Sequence, residues 1–344
     1  MKKNTRAFQM SPGAGLHRRR LLAAGLAWPA AGVAQLAAPA PSPADWPARP
    51  LRLWVVYPAG GVSDTIARAL ADPLSDALQV PVIVEHRPGA GGSVGIDALA
   101  RSAPDGHTLA FSAITPLTLH PLIARLAHAD RLDAVAPVAS VMHTPVLIAA
   151  TPAFTGTDWG GVLQQARARP GNLRWASSGI ATTGHLVLAQ VRALAGVDIT
   201  HVPYQGGGPQ LNDALGGQFE LLSTNVAALQ LRYIAQGRLR ALAVGAPARL
   251  PALPDVPTLA ELGFAPANRD SLFGVFAPQG TPRRIVRRLN AEINRALAGA
   301  PMRERLQQSN NLPAPGSAEA FAREIELDRR RNAALVARDP RAFD

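Results

Sequence analysis

Apolar residues along this chain fall into short runs that alternate with stretches of helical spacing. The first run, 51–56, is β-rich, lies between Pro50 and Pro58, and reads as a buried parallel strand. Tyr57-Pro58-Ala59-Gly60-Gly61 breaks it, and from Ser63 the pattern turns helical, with Ile66, Ala67 and Leu70 on one face. Pro73 is expected to kink or end that helix early. A second strand at 81–84 precedes the glycine-rich stretch 88–95 and a helix to about Arg101. Pro104-Asp105-Gly106 is a turn signal before a third strand at 107–112. Strand and helix in alternation is the βαβ rhythm of an open parallel sheet.

The rhythm recurs further on. Strands are predicted at 145–150, 173–176, 199–202, 220–223 and 239–244, and helices at 159–168 and 183–194 with others between the later strands. A proline-rich connector, 247–257, separates these from a strand at 272–276. Helices at 282–297, 302–308 and 317–337 finish the chain. Two βα sets, parted near residue 145 and rejoined near residue 270, predict two α/β lobes around a cleft. The expected boundaries are 45–143 with 272–344 for one lobe and 144–271 for the other.

The amino-terminal 44 residues stand apart. Lys2, Lys3, Arg6 and Arg18-Arg19-Arg20 precede an Ala/Leu-rich run, 21–38, and then Ser42-Pro43-Ala44 before Asp45. That order is the layout of a signal peptide. Pro29 and the small side chains make the run a weak membrane span. The triple arginine before Leu21-Leu22 resembles a twin-arginine export signal, although His17 and Ala23 depart from it, so the export route stays open.

The leader also changes the charge balance. The formal charge is +11, but residues 1–44 hold six cations and no anion, so the remainder is only +5. Its cations are all arginine, scattered or on helical segments, and aromatic residues are 5%, which leaves few base-stacking platforms. Nucleic acid is therefore not an expected partner. The absence of cysteine excludes disulfides, thiol catalysis and thiolate metal sites. The histidines have no metal-ligand spacing, and neither a metal nor another cofactor is expected.

The loops beyond the predicted strands carry the chemistry. Tyr57 to Asp64, Ser112 with Thr115, Ser177 to His185, and Thr224-Asn225 share a composition of Gly, Ser, Thr and Asn. Backbone N–H groups in such loops at helix starts suit an anion, and Gly60 and Gly61 let it approach the main chain. Enzyme readings fit less well. Gly89-Ala90-Gly91-Gly92 is not a dinucleotide fingerprint, because Glu85-His86-Arg87-Pro88 separates it from its strand. Ser178 and His185 suggest a hydrolase pair, yet 175–179 is not a G-x-S-x-G elbow. Asp64, at a helix start, reads as a cap before it reads as a general base.

With those loops in view, the chain closely resembles the substrate-binding proteins of tripartite tricarboxylate transporters, the Bug family. The resemblance is carried by Trp46-Pro47-Ala48-Arg49-Pro50, Tyr57 to Gly61 with Asp64 and Ala67-Arg68, and Arg87-Pro88-Gly89-Ala90-Gly91-Gly92. Pro104-Asp105-Gly106, Ala176-Ser177-Ser178-Gly179, His201-Val202-Pro203-Tyr204, Asp255-Val256-Pro257-Thr258 and Gly280-Thr281-Pro282 continue it in order. It implies a periplasmic protein of the two-lobed, type II-like binding-protein fold, closing on a small carboxylate: a di- or tricarboxylate, an amino acid or an aromatic acid. It also implies membrane transporter subunits, or a sensor kinase, as partners of a monomer that catalyses nothing. The ligand-binding residues expected from the loops and the resemblance together are Tyr57, Ala59, Gly60, Gly61, Asp64, Ser112, Thr115, Ser177, Ser178, Gly179, Thr182, Thr183, His185, Tyr204, Thr224 and Asn225. Arg68 is the nearest candidate for a charged clamp instead. The sequence departs from the family at His107, usually tyrosine, at Leu272, usually tryptophan, at 129–134, and at Leu222-Ser223-Thr224-Asn225.

The leader generates a direct expectation. Mass spectrometry of exported protein should find a new amino terminus between about Ala34 and Asp45, and recovery of full-length, membrane-bound chain alone would contradict it.

Overall fold

The structure is a computed structural model and describes residues 46–124, 133–339 and 342–343. The expected leader, 1–44, and positions 129–132 of the departing segment lie outside the described residues.

Strand β1 (Leu51–Val55) leads into α1 (Val62–Leu78), then β2 (Val82–His86), α2 (Ser93–Ala100) and β3 (Thr108–Ala113). Two short helices, α3 (Thr115–Thr118) and α4 (His120–Ile123), come before the long strand β4 (Val135–Ala150). Then follow α5 (Trp159–Ala168), β5 (Arg174–Ser177), α6 (Thr183–Ala195), β6 (Thr200–Pro203), α7 (Gly207–Leu215), β7 (Leu221–Asn225), α8 (Ala228–Ala235) and β8 (Arg240–Gly245). The chain finishes with β9 (Asp270–Pro278), α9 (Arg283–Ala298), α10 (Ala300–Gln308), the two-residue β10 (Leu312–Pro313) and α11 (Ala318–Arg338).

The strands form one curled α/β sheet in the order β2-β1-β3-β9-β4-β7-β5-β6, with β8 and β10 also paired to β4. β1 runs parallel to β2 and β3, and β5 runs parallel to β6 and β7. The two parallel groups meet through the antiparallel pair β4–β9. β4 pairs with β9 from Val135 to Pro145, then from Val146 with β7 and β8. Register shifts against β9 between Pro137 and Ala139 and between Ser140 and Met142, and against β8 at Ile148/Ala149, mark bulges. A bulge bends its strand and raises the local twist, which lets one strand serve both halves of the sheet.

Each half has its own apolar core. Leu53, Val55, Leu70, Phe111, Phe273 and Ile293 cluster on the first. On the second, alternate residues of β4 face opposite sides. Val146, Ile148 and Ala150 pack with Trp175 and Val187, while Leu147 and Ala149 pack with Phe219 and Leu222.

Two expectations need correction. The helix containing Pro73 continues to Leu78. Leu70, Leu74 and Leu78 are all buried against the first core, and that packing holds the turn in which Pro73 removes one hydrogen bond. The strand expected at 145–150 begins ten residues earlier, at Val135. Pro137 lies inside the added part, at a bulge, where a missing N–H is tolerated. Of the departures from the family pattern, His107 is buried edge-on to Trp46 with 6.1 Å between ring centroids, and Leu272 is buried beside Phe276 and Phe321. No helix among the described residues is long and apolar enough to cross a membrane.

Candidate functional site

The loop after β1 is built on a left-handed glycine. Gly60 has φ +84°, while Gly61, the residue before α1, has φ −85°. A Cβ added at Gly60 would meet nothing within 4 Å, and one at Gly61 would approach only the Ser63 hydroxyl and the Pro58 carbonyl, at 3.9 and 4.0 Å. The main chain here therefore borders open space. Asp64 secures the turn: its carboxylate accepts from the Gly60 N–H at 2.9 Å and pairs with Arg68 at 2.8 Å and His86 at 2.9 Å. Burial works against the charge on Asp64. The Gly60 N–H, His86 and Arg68 together outweigh it and hold the carboxyl below its usual range.

The loop after β5 is tied by its own side chains. Thr182 Oγ1 donates to the Gly179 carbonyl at 2.8 Å and accepts from the His185 N–H at 3.4 Å, capping α6. Ser177 Oγ donates to the same carbonyl at 2.9 Å, so its contact with His201 Nε2, at 2.7 Å, is one in which the imidazole donates. His185 Nδ1 accepts from the Ala181 N–H at 3.2 Å, which puts its proton on Nε2. The two imidazoles stack with centroids 3.9 Å apart, and Phe343 meets His185 edge-on. Desolvation, the neighbouring ring and Arg192 push His185 down to about 3. Desolvation and Arg192 push His201 to about 4. Both rings are neutral at pH 7.

These loops, with the starts of α7 and α8, enclose a cavity of about 130 Å³. Four helices of eight residues or more begin at it, besides the one-turn α3 at Thr115. Three of them, at Gly61, Gly206 and Ala227, have no side-chain cap, and only α6 has one. Away from the cavity, Asp158 and Ser317 cap α5 and α11, while α2, α9 and α10 also start without a side-chain cap. The first N–H groups of a helix have no partner within it and carry partial positive charge. Among the described residues no charged side chain lines the cavity. Thr115, Ser178, Thr183, Thr224 and Asn225 supply hydroxyl and amide groups, while Leu211, Leu229 and Phe273 supply apolar wall. The arrangement offers backbone and neutral donors to a small anion. Among the described residues no cluster of three metal-ligating side chains occurs.

Of the sixteen expected residues, Tyr57, Ala59, Gly60, Gly61, Thr115, Ser178, Thr182, Thr183, Thr224 and Asn225 line the cavity. The other six do not. Asp64 holds Gly60 in place, Ser112 donates to the Ala113 carbonyl, Ser177 and His185 brace the second loop, and Gly179 receives its bonds. Tyr204 donates to Asp213 at 2.7 Å. Arg68 is absent from the lining and is tied to Asp64. Lining residues that sequence reasoning passed over include Gly206, Gly207, Ala227, Gln230, Ser271 and Phe273. Gly206-Gly207-Gly208 repeats the strand–glycine–helix order of the first loop and was findable on that ground, whereas nothing near Gln230 forms a motif.

The two halves of the sheet touch around the cavity. A Cβ on Gly206 would stand 2.7 Å from Pro58 Cγ, and one on Gly91 would collide with the Ile180 carbonyl. Bare glycine backbone lets the rims meet.

Comparison with known proteins agrees with this geometry. Residues 66–339 match the tripartite tricarboxylate transporter family receptor. Protein BugT of Bordetella pertussis is 37% identical over 285 residues, 82% of this chain and 86% of the relative. The periplasmic binding protein BugD superposes with a TM-score of 0.78 at 28% identity, covering 85% of this chain and 98% of that one. An R. palustris protein with adipate gives 0.79 at 30% identity, covering 85% and 98%. A malate-bound protein from Rhodopseudomonas palustris gives 0.79 at 28% identity, covering 85% and 100%. These neighbours share the two-lobed α/β fold.

The histidine pair makes a pH prediction. The folded rings stay neutral while the unfolded chain takes up protons below its ordinary 6.5, so stability is full above pH 6.5 and falls as pH drops toward 4. His143, raised by Asp270, acts in the opposite direction, and the carboxylates titrate lower. Urea midpoints at pH 7 and pH 5 should therefore differ less in a His185→Leu/His201→Gln variant than in the natural chain. An equal difference would show that the pair has no part in the pH response.

Proposed function

The chain belongs to the tripartite tricarboxylate transporter receptor family, and on that premise we propose that it is a periplasmic solute-binding protein that captures a small carboxylate and delivers it to transporter membrane subunits. The observation that carries this reading is the set of three uncapped helix starts around a cavity without a charged side chain. A cavity of about 130 Å³ lined in this way suits a small anion, and we take that anion to be a carboxylate. Relatives with bound adipate and malate support the same class of ligand.

In this reading Gly60, Gly61, Ser178, Thr182 and Thr183 hold one carboxylate through backbone N–H groups, hydroxyls and water, with Tyr57, Thr115, Thr224 and Asn225 around it. Desolvation raises the Tyr57 phenol to about 12, so it is present as a neutral donor. The lobes are 45–143 with 272–344, and 144–271, hinged where β4 and β9 pass between them, and they close on the ligand.

Titration calorimetry with adipate and malate tests the cradle. Gly61 has a negative φ and open space around it, so Gly61→Val should fold normally by circular dichroism. It should nevertheless lose about 3 kcal/mol of binding, by filling the approach and leaving polar groups unpaired. Arg68→Ala should bind within about threefold of the natural chain, a change of roughly 0.7 kcal/mol or less. The opposite pattern, normal binding by the valine variant and none by the alanine variant, replaces the cradle with a charged clamp.

Small-angle scattering tests closure separately. Saturating ligand should lower the radius of gyration measurably below that of the ligand-free protein as the lobes shut. An unchanged radius rules the hinge out.

A further inference from the structure

Gln230 stands in the first turn of α8, is only 7% exposed, and lines the cavity. Its Oε1 is buried without a hydrogen-bond partner among the described residues. Buried amides normally find partners, and one left unpaired costs about as much as a lost hydrogen bond. Gln210, whose Oε1 is likewise buried without a partner, is held by its nitrogen: its Nε2 donates to the Ala176 and Ser223 carbonyls at 3.0 Å each, binding α7 to β5 and β7. Gln230 makes no such link. Its cavity neighbours include the apolar Leu211, Leu229 and Phe273, and a leucine would suit that wall at no polar cost.

The place of Gln230 on α8 says what it would meet. Ala227 gives α8 no side-chain cap, so the helix start beside Gln230 is a region of positive potential. Of the terminal amide only Oε1 is shut away; Nε2 is not among the buried unpartnered atoms and is the end left to present an N–H to the cavity. A ligand oxygen gains from that N–H and from the helix start together, while a hydrocarbon end gains from neither.

We propose that Gln230 is a specificity-determining residue of this cavity, selecting an acid that carries a second oxygen acceptor, a carboxylate or carboxamide, over an acid whose remaining atoms are hydrocarbon. The inference rests on carboxylate capture as read above and adds which carboxylates are taken. Asn225 is fixed by its Oδ1, which accepts from Ser271 at 2.9 Å, and belongs to the groups around the first carboxylate. Gln230 is the lining amide whose oxygen is buried and unengaged.

The test is calorimetric titration of the full exported chain with acids matched in length: succinate, succinamate and butyrate, then adipate, adipamate and hexanoate. The natural chain should bind the diacid or its monoamide at least tenfold tighter than the monoacid at one of the two lengths. In Gln230→Leu that advantage should shrink to threefold or less, by loss on the diacid side, with monoacid affinity retained. Its melting temperature should not fall, because leucine replaces an unpartnered buried oxygen without opening a cavity. Gln230→Glu keeps the shape but adds charge, and should weaken the diacid more than the monoamide. A Gln230→Leu variant that keeps the tenfold advantage, or loses affinity equally for all three acids, overturns the proposal. If the natural chain binds every acid of a set equally, Gln230 is no selector while carboxylate capture stands. If it binds none of the six, the capture of small aliphatic acids falls and this inference with it.

Discussion

A cavity without a charged side chain can hold an anion where neutral donors converge, main-chain N–H groups above all, and the rest of this architecture brings such groups together. One helix start supplies too little; four around one small cavity supply a field. Bringing them together demands strands that end at the same rim and glycines that let the backbones approach. Asp64 shows the cost of such a turn. A buried carboxylate is committed to the Gly60 N–H, with Arg68 balancing its charge and His86 hydrogen-bonded to it. Arginine is thus recruited close to the site without entering it.

The same requirement explains the shape of the sheet. Helix starts that face one another across a cleft cannot come from a single parallel βα series, whose helix N-termini all lie beyond the same strand ends. Here two parallel groups are joined through β4 and β9, and β4 changes partners at Pro145–Val146. Bulges in β4 turn the second group relative to the first. Contact between the rims then depends on bare backbone at Gly91 and Gly206.

Much of this was legible in the sequence, and the limits have physical causes. The strand–glycine–helix order at Tyr57 to Ser63 and at Ser177 to Thr183 announces itself, because few other residue types allow those turns. The two-lobed fold followed from alternation alone. The first ten residues of β4 did not, because Pro137 looks like a breaker until a bulge is known to receive it. Among polar loop residues, the sequence does not say which side of the loop faces the ligand. Ser177 turns inward to His201 while its neighbour Ser178 turns to the cavity. His185 and Tyr204 share motifs with cavity residues but brace them from behind. Gln230 lay in a featureless amphipathic helix, and only three-dimensional neighbours distinguish it.

Recognition by main-chain amides has an evolutionary consequence. Every residue except proline carries the same N–H, so point mutation cannot readily delete these donors one at a time while the turns persist. The lining side chains, Leu211, Leu229 and Gln230 among them, are free to drift. If the cavity takes acids as proposed, a gene duplicated from such an ancestor would keep that affinity from its first generation and would relearn only the size and second functional group of its ligand. Nutritional range can then widen by small steps, none of which passes through a protein that binds nothing.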